Sequence, residues 1–152
     1  MTRFSYRPER SNLGTIYRPV ATVIVEHKKI VIELPLYIDS GADISMIPYR
    51  FGKALRLEQT AKDRVRRIRG IAGRSVPYLV KRLTFIFGRR KISARVAWSM
   101  TEEVPLLLGR MDVFDKFRIT FDERNRTVDF RERQLSNPDL ARRRIKSGRW
   151  IR

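Results

Sequence analysis

Apolar residues recur at every second position along several segments of the chain, a pattern typical of β-strands that bury one face. Strands are predicted in this way at residues 20–25, 30–38, 64–69, 76–87, 92–98, 104–109 and 117–130. Only the polar residues 26–29 separate the first two runs, which predicts a hairpin. The pattern therefore predicts an all-β domain whose core is formed by the apolar faces of these strands.

The alternation also predicts which side chains face the core. The inward sets are Ile30, Ile32, Leu34, Leu36 and Ile38 in one strand, Ile92, Ala94, Val96 and Trp98 in another, and Phe117, Ile119, Phe121, Val128 and Phe130 in the last hairpin. Ala97 is expected to face solvent with its polar neighbours. Pro35 has no N–H to donate to a neighbouring strand, so it is predicted at an edge or a bulge.

Helical structure is predicted at two short places. Pro48 suits the first turn of a helix, and Phe51, Ala54 and Leu55 follow at helical spacing, although Gly52 weakens this helix. Residues 110–117 are predicted to form one or two helical turns.

Shifts in composition divide the chain into three parts. Residues 1–19 are polar and basic and are predicted to form an N-terminal arm outside the core. Residues 20–130 are predicted to form the single folded domain. Residues 131–152 hold eight Lys or Arg and two acids, a net charge of +6, and are predicted to form a basic tail that is partly helical.

Composition narrows the possible chemistry. The 152 residues include 34 Lys or Arg against 16 Asp or Glu, and the formal charge of +18 attracts nucleic acid, anionic membrane or acidic protein surfaces. The absence of cysteine excludes disulfides and thiolate sites, and one histidine, His27, excludes a His-rich zinc site. His27 is expected to be a solvated turn residue. With no apolar stretch of ~18 residues and no secretory signal, a cytoplasmic location is expected.

The most informative stretch is DSGAD at residues 39–43, where an apolar run ends in an acid. A lone buried carboxylate would protonate, but two carboxylates brought together share one proton and can act as base and acid at once. Asp39 followed by Ser40 and Gly41 is also good turn chemistry, so an ordinary turn at the end of a strand is the alternative interpretation.

Three elements in this order carry a resemblance: DSGAD at 39–43, a glycine-bearing turn at 70–73 and LLLGR at 106–110. In an all-β context they resemble the retropepsins, the single-lobed aspartic proteases typified by retroviral proteases. The resemblance covers roughly residues 20–130. It implies a closed single-lobe β-barrel with one or two short helices that forms a homodimer, and an endopeptidase that needs no metal or cofactor.

The resemblance also implies residue roles. Asp39 matches the catalytic aspartate, Ser40 the hydroxyl residue that bonds to the other subunit's loop, and Gly41 the glycine that lets substrate approach. Ala42 and Asp43 match positions lining the cleft, and Asp43 is expected to pair with Arg110. The remaining matches are Gly70, Ile71, Ala72 and Gly73 in a flap over the substrate, Leu107 and Gly109 in the supporting strand beneath the catalytic loop, and Leu108 in that strand and also against substrate.

The sequence contains one Asp-Ser-Gly and no Asp-Thr-Gly. A two-carboxylate site therefore requires two copies of the chain, and a single copy is expected to be inactive. The function expected is hydrolysis of peptide bonds between apolar residues, through a water activated by paired Asp39 carboxylates.

A second interpretation stays open, in which the fold serves as a catalytically weak binding or assembly module that holds nucleic acid or an acidic partner through its basic surface. At the level of single features, the Asp43–Arg110 pair could be purely structural, and the turn at 70–73 could belong to any hairpin. The basic tail could be solvated, dock a partner, bind nucleic acid or contact a membrane.

Overall fold

The structure is a computed structural model that describes residues 1–69 and 73–134. Residues 70–72, at the centre of the predicted flap, and residues 135–152, with the predicted tail helix, lie outside the described residues. The strands are β1 (Thr2–Ser5), β2 (Arg7–Ser11), β3 (Gly14–Arg18), β4 (Val20–His27), β5 (Ile30–Ile38), β6 (Ser45–Ile47), β7 (Arg66–Arg69), β8 (Ser75–Phe87), β9 (Arg90–Ser99), β10 (Leu107–Leu108), β11 (Phe117–Asp122) and β12 (Thr127–Glu132). Helix α1 spans Tyr49–Ala54, and one 3₁₀ turn spans Phe114–Lys116.

Six strands close into a barrel. They are hydrogen-bonded in the order β4-β5-β10-β6-β9-β8, and antiparallel pairing of Val25 with Phe85 joins β8 back to β4. Strand β7 continues the sheet beyond β8 as an edge strand. Closure gives each of the six strands a hydrogen-bonded neighbour on both sides. The prediction of an all-β closed barrel with short helices is confirmed.

Alternation along the strands fills the barrel as predicted. Leu34, Leu36 and Ile38 of β5 are buried, whereas Pro35 and Tyr37 between them are only half-buried. The N–H groups of β5 point alternately to its two sides: that of Ile38 donates to Pro19, beside β4, and that of Tyr37 donates to Leu106 on the opposite side. Pro35 is two residues before Tyr37, so its missing N–H falls on the side away from β4. Strand β10 pairs only with residues 37 and 38, so no ladder bond is lost at Pro35.

Three predictions of side-chain orientation were wrong. Ala97 is fully buried, because β9 lies between β6 and β8 at this point. Helix α1 turns Gly52 rather than Ala54 toward the core, where the indole of Trp98 occupies the space that a larger residue would need. Phe121 is 40% exposed and stands near the turn that joins β11 to β12.

His27 was predicted to be a solvated turn residue, and the structure corrects this. Its ring is half-buried, and Nδ1 lies 2.7 Å from the carbonyl oxygen of Leu55. A carbonyl can only accept, so Nδ1 carries the proton and donates. The imidazole thereby links the end of β4 to the residue that follows α1.

The N-terminal segment, predicted to be an arm, is folded. Strand β1 pairs with β12 in a three-stranded sheet, and β2 and β3 form a hairpin. Tyr6, which lies between β1 and β2, is buried. Phe4 packs edge-on against Phe130 with ring centroids 5.5 Å apart, and Phe130 stacks on Phe87 of the barrel at 5.3 Å. This aromatic contact and the burial of Tyr6 attach the N-terminal segment to the core.

Within residues 1–69 and 73–134, no helix is both long enough and apolar enough to cross a bilayer. The cytoplasmic location stays a prediction.

Candidate active site

Asp39 is the first residue after β5, at the start of the loop that leads to β6. Its N–H donates to the Leu108 carbonyl at 3.1 Å, and its carbonyl accepts from Ala42 at 3.2 Å. Its carboxylate Oδ1 accepts the Gly41 N–H at 2.9 Å. The loop therefore fixes one carboxylate oxygen, and the half-buried side chain presents the other with no hydrogen bond from the described residues.

The two-residue strand β10 supports this loop from beneath. It runs parallel to β5, with Leu108 opposite Ile38, and antiparallel to β6. The next residue, Gly109, donates its N–H to the buried Ser45 hydroxyl at 3.0 Å. A Cβ on Gly109 would lie 2.4 Å from the Ile44 carbonyl carbon, so only glycine fits. Gly109 therefore holds the far side of the loop at close range.

Asp43 and Arg110 form the predicted ion pair between the loop and the segment after β10. Backbone bonds run beside it, from Arg110 N–H to the Ala42 carbonyl at 2.9 Å and from Met111 N–H to the Asp43 carbonyl at 2.7 Å. The two side chains are 77% and 57% exposed, so the ion pair itself stabilises by no more than about 1 kcal/mol. The backbone bonds are the stronger constraint on the loop.

A cleft of about 540 Å³ opens beside Asp39. Its lining residues are Glu9, Arg18, Pro19, Tyr37, Ile38, Asp39, Pro105 and Leu107. Leu107 was predicted only to support the loop, yet it lines the cleft. Leu108, which was predicted to contact substrate, is fully buried and has no access to it. Adjacent residues of a strand point to opposite faces, which explains the exchange.

The other predicted site residues lie around this cleft without lining it. Ser40 and Gly41 are exposed at the tip of the loop. Asp43 lines a second, open depression together with Arg110 and Met111. Ala42 is half-buried within the loop.

The predicted β-hairpin around residues 70–73 is present, with β7 and β8 paired up to Arg69 and Ser75. Gly73 has a φ of +75°, the left-handed region that favours glycine, and it is exposed. Gly70, Ile71 and Ala72 lie outside the described residues. A role of this hairpin as a flap stays a prediction.

Six of the cleft residues were not predicted from the sequence, and three of these are polar: Glu9 on β2, Arg18 at the end of β3 and Tyr37 on β5. The Tyr37 hydroxyl donates to Glu9 Oε1, and Arg18 Nε lies 2.9 Å from Glu9 Oε2. The hydrogen bond to Glu9, together with burial, raises the pKa of Tyr37. The Asn12–Gly14 turn between two short polar runs was the available signal for this hairpin, and it is weak because neither run has an apolar face.

No protein-family model and no curated protein matches this chain. Among solved structures, the chain is similar to a retropepsin-like aspartic protease from Rickettsia conorii, with a TM-score of 0.57 and 13% identity over 84% of this chain and 98% of that one. Similarity to the EIAV protease in complex with the inhibitor HBY-793 has a TM-score of 0.47, at 23% identity over 61% of this chain and 82% of that one. By its likeness to the Rickettsia protein, which extends over almost the whole of that structure, this chain has the retropepsin-like fold.

Proposed function

We propose that the protein is an aspartic endopeptidase that is active as a homodimer. The observation that carries this proposal is the position of Asp39, which lies on a loop fixed by β10 and Gly109 and faces a cleft large enough for substrate side chains. Apolar lining residues, Pro19, Ile38, Pro105 and Leu107, favour apolar residues on the substrate.

The second carboxylate comes from a second copy of the chain. The sequence offers one Asp-Ser-Gly, and each cleft contains one Asp39. A twofold axis beside the loop would bring the two Asp39 side chains together, and the exposed Ser40 and Gly41 would face the partner. The β7–β8 hairpin would cover the peptide as a flap.

The proposed chemistry uses one shared proton. The ionised Asp39 takes a proton from a water molecule whose oxygen attacks the scissile carbonyl carbon, while the protonated Asp39 donates to the carbonyl oxygen. The tetrahedral intermediate then collapses as the C–N bond breaks. The leaving nitrogen receives the proton that the first carboxylate accepted from water. A hydroxyl group of the intermediate returns a proton to the second carboxylate as the C=O bond forms again, so the pair returns to its starting state.

Cleavage of a mixed peptide library across pH values of about 3 to 8, the range set by a shared-proton pair, tests this proposal. Asp39→Asn removes the titrating oxygen with little change in volume, so we expect a dimer without cleavage. Asp115→Asn, at an exposed acid away from the cleft, is the matched control and should cleave normally. Activity retained by Asp39→Asn, or a cleaving monomer, would contradict the proposal.

A second candidate function is binding of nucleic acid or an acidic partner. The β7–β8 hairpin carries five exposed arginines, none with a carboxylate partner among the described residues: Arg64, Arg66, Arg67, Arg69 and Arg74. If this function holds, binding of single-stranded RNA or an acidic peptide should weaken steeply with salt. Replacing Arg66, Arg67 and Arg69 by Gln should then reduce the salt dependence.

A further inference from the structure

Three of the residues that line the cleft, Glu9, Arg18 and Tyr37, form a polar cluster. The N-terminal hairpin contributes the first two residues, and β5 contributes the third. Arg18 also lies over the Tyr37 ring, with Cζ 6.0 Å from the ring centroid. A segment of the chain outside the barrel therefore supplies charged groups to the same cleft as Asp39.

Within this cluster both carboxylate oxygens of Glu9 have partners, whereas the guanidinium of Arg18 has a partner only at Nε. Glu9 Oε1 accepts the Tyr37 hydroxyl, and Oε2 is paired with Arg18 Nε. The Nη groups of Arg18 make no hydrogen bond to any of the residues described, and its side chain is 51% exposed. Arg18 therefore retains donor groups that a bound molecule could use.

The local charge favours a negative ligand at this cluster. Arg7, which donates to Thr22 Oγ1 at 2.7 Å, lies opposite Arg18 in the β2–β3 hairpin but outside the cleft lining. Two guanidinium groups thus stand near one carboxylate that already has two partners. A lysine or arginine from a substrate would meet the charge of Arg18 and no free carboxylate in this cluster.

We propose that Arg18, positioned by Glu9 and Tyr37, binds an acidic side chain of the peptide substrate, so that a Glu or Asp near the scissile bond determines specificity. This inference rests on the proposed function. The guanidinium fork presents parallel N–H donors that match a carboxylate, and such charge-assisted pairs are the stronger class of hydrogen bond. Glu9 and Tyr37 are positioning residues, since they fix Arg18 through Nε and the aromatic ring.

The test uses the full chain and a peptide series with one apolar scissile pair. Each of the four positions on either side carries Glu, Gln, Lys or Ala in turn, and kcat/KM is measured. We expect kcat/KM of the wild type to be about tenfold higher for Glu than for Gln at one position. A tenfold ratio corresponds to roughly 1.4 kcal/mol. Arg18→Gln should abolish that preference, so that its kcat/KM values for the Glu and Gln peptides become equal.

Further variants separate binding from structure. Arg18→Lys should keep part of the preference for Glu, because the charge remains. Glu9→Gln should raise KM for the Glu peptide and leave kcat unchanged, which loss of folding would not do. Arg3→Gln removes an equivalent ion-paired arginine outside the cleft and should keep the full preference. If Arg18→Gln does not fold, Tyr37→Phe, which removes the hydroxyl that fixes Glu9, tests the same cluster.

Binding of the same peptides to the Asp39→Asn variant, measured by fluorescence anisotropy, separates the two proposals. Binding that favours Glu and depends on Arg18, without cleavage by wild type, would support the subsite and contradict the protease. Equal affinity for the Glu, Gln and Lys peptides, or no binding of any of them, would overturn the role of Arg18.

Discussion

The indole of Trp98 lies directly over Gly52, so that a Cβ at residue 52 would be 2.0 Å from the indole Nε1. The indole is fixed there by its hydrogen bond to the Tyr49 carbonyl at 3.0 Å and by stacking on the Tyr49 ring at 5.5 Å. Gly52, which weakens the helix by its conformational freedom, is thus the residue that allows α1 to dock on β9.

We therefore expect Gly52→Ala to destabilise the protein, although alanine is the better helix former by about 1 kcal/mol. Forcing the indole away from its hydrogen bond and stacking partner should cost more than this gain, so we expect a net loss of about 1–3 kcal/mol in the free energy of unfolding. Urea denaturation measures it. Lys53→Ala, at an exposed neighbour in the same helix, is the control, and equal stability of the two variants would contradict the docking contact.

Ser45→Ala should destabilise the loop that carries Asp39. The Ser45 hydroxyl is fully buried and accepts the Gly109 N–H, which the variant would leave buried without a partner. The expected loss is about 1–3 kcal/mol in the free energy of unfolding. Ser93→Ala, on an exposed position of β9, should change it by less than about 0.5 kcal/mol. A Ser45→Ala variant as stable as Ser93→Ala would show that this bond is unimportant.

Gly109→Ala should be more severe than Ser45→Ala, since the added Cβ meets the backbone of residues 44 and 45 rather than a movable side chain. We expect the loop to shift away from β10 and, on the proposed function, cleavage to be lost. Gly14→Ala is a useful comparison because its Cβ would meet nothing within 4 Å, so only its φ of +93° is unfavourable. Cleavage by a folded Gly109→Ala protein at the wild-type rate would refute this prediction.

Asp112 should make stability depend on pH. Arg95 donates Nε and Nη2 to the two Asp112 oxygens at 2.8 and 2.9 Å, and these bonds lower the pKa of Asp112 to about 2. A carboxyl group with a lowered pKa stabilises the folded state above its unfolded pKa, near 3.8, and that contribution is lost as the pH falls toward 2.

The measurement compares the unfolding free energies of wild type and Asp112→Asn. Wild type should be more stable by about 1–2 kcal/mol at neutral pH, after allowance for a partly exposed Arg95, and the difference should shrink between about pH 4 and pH 2. In an Arg95→Gln background the pH dependence should largely disappear. A difference that stays constant down to pH 2 would contradict the assignment to this pair.

Features that depend on residues close together in the sequence were predictable, and features that depend on contacts between distant residues were not. Leu34, Leu36 and Ile38 occupy every second position of one strand, so the sequence of that strand alone predicted its inward face. The Asp39 loop and its partner Arg110 were predicted through two short motifs. In contrast, Glu9 lies on a hairpin with no apolar face. Its contact at the cleft is with Tyr37 of β5, 28 residues away along the chain.

The predicted roles of Leu107 and Leu108 were interchanged for a similar reason. Both residues are apolar, and an unbroken apolar run gives no indication of which face points inward. The orientation is fixed by pairing with β5, where Leu108 stands opposite the buried Ile38. The same argument applies to Ala97, whose surroundings are set by two neighbouring strands rather than by its own sequence.

The pairing of β1 with β12 has a kinetic consequence. Thr2 lies opposite Phe130, so β1 has no strand partner until well over a hundred further residues have been made. The barrel pairing of β4 with β8 needs a much shorter segment and can form earlier, because closing a longer loop costs more entropy. Pulse-labelling hydrogen exchange during refolding should therefore find the amides of β1 among the last to be protected, after the loop that carries Asp39 is already in place.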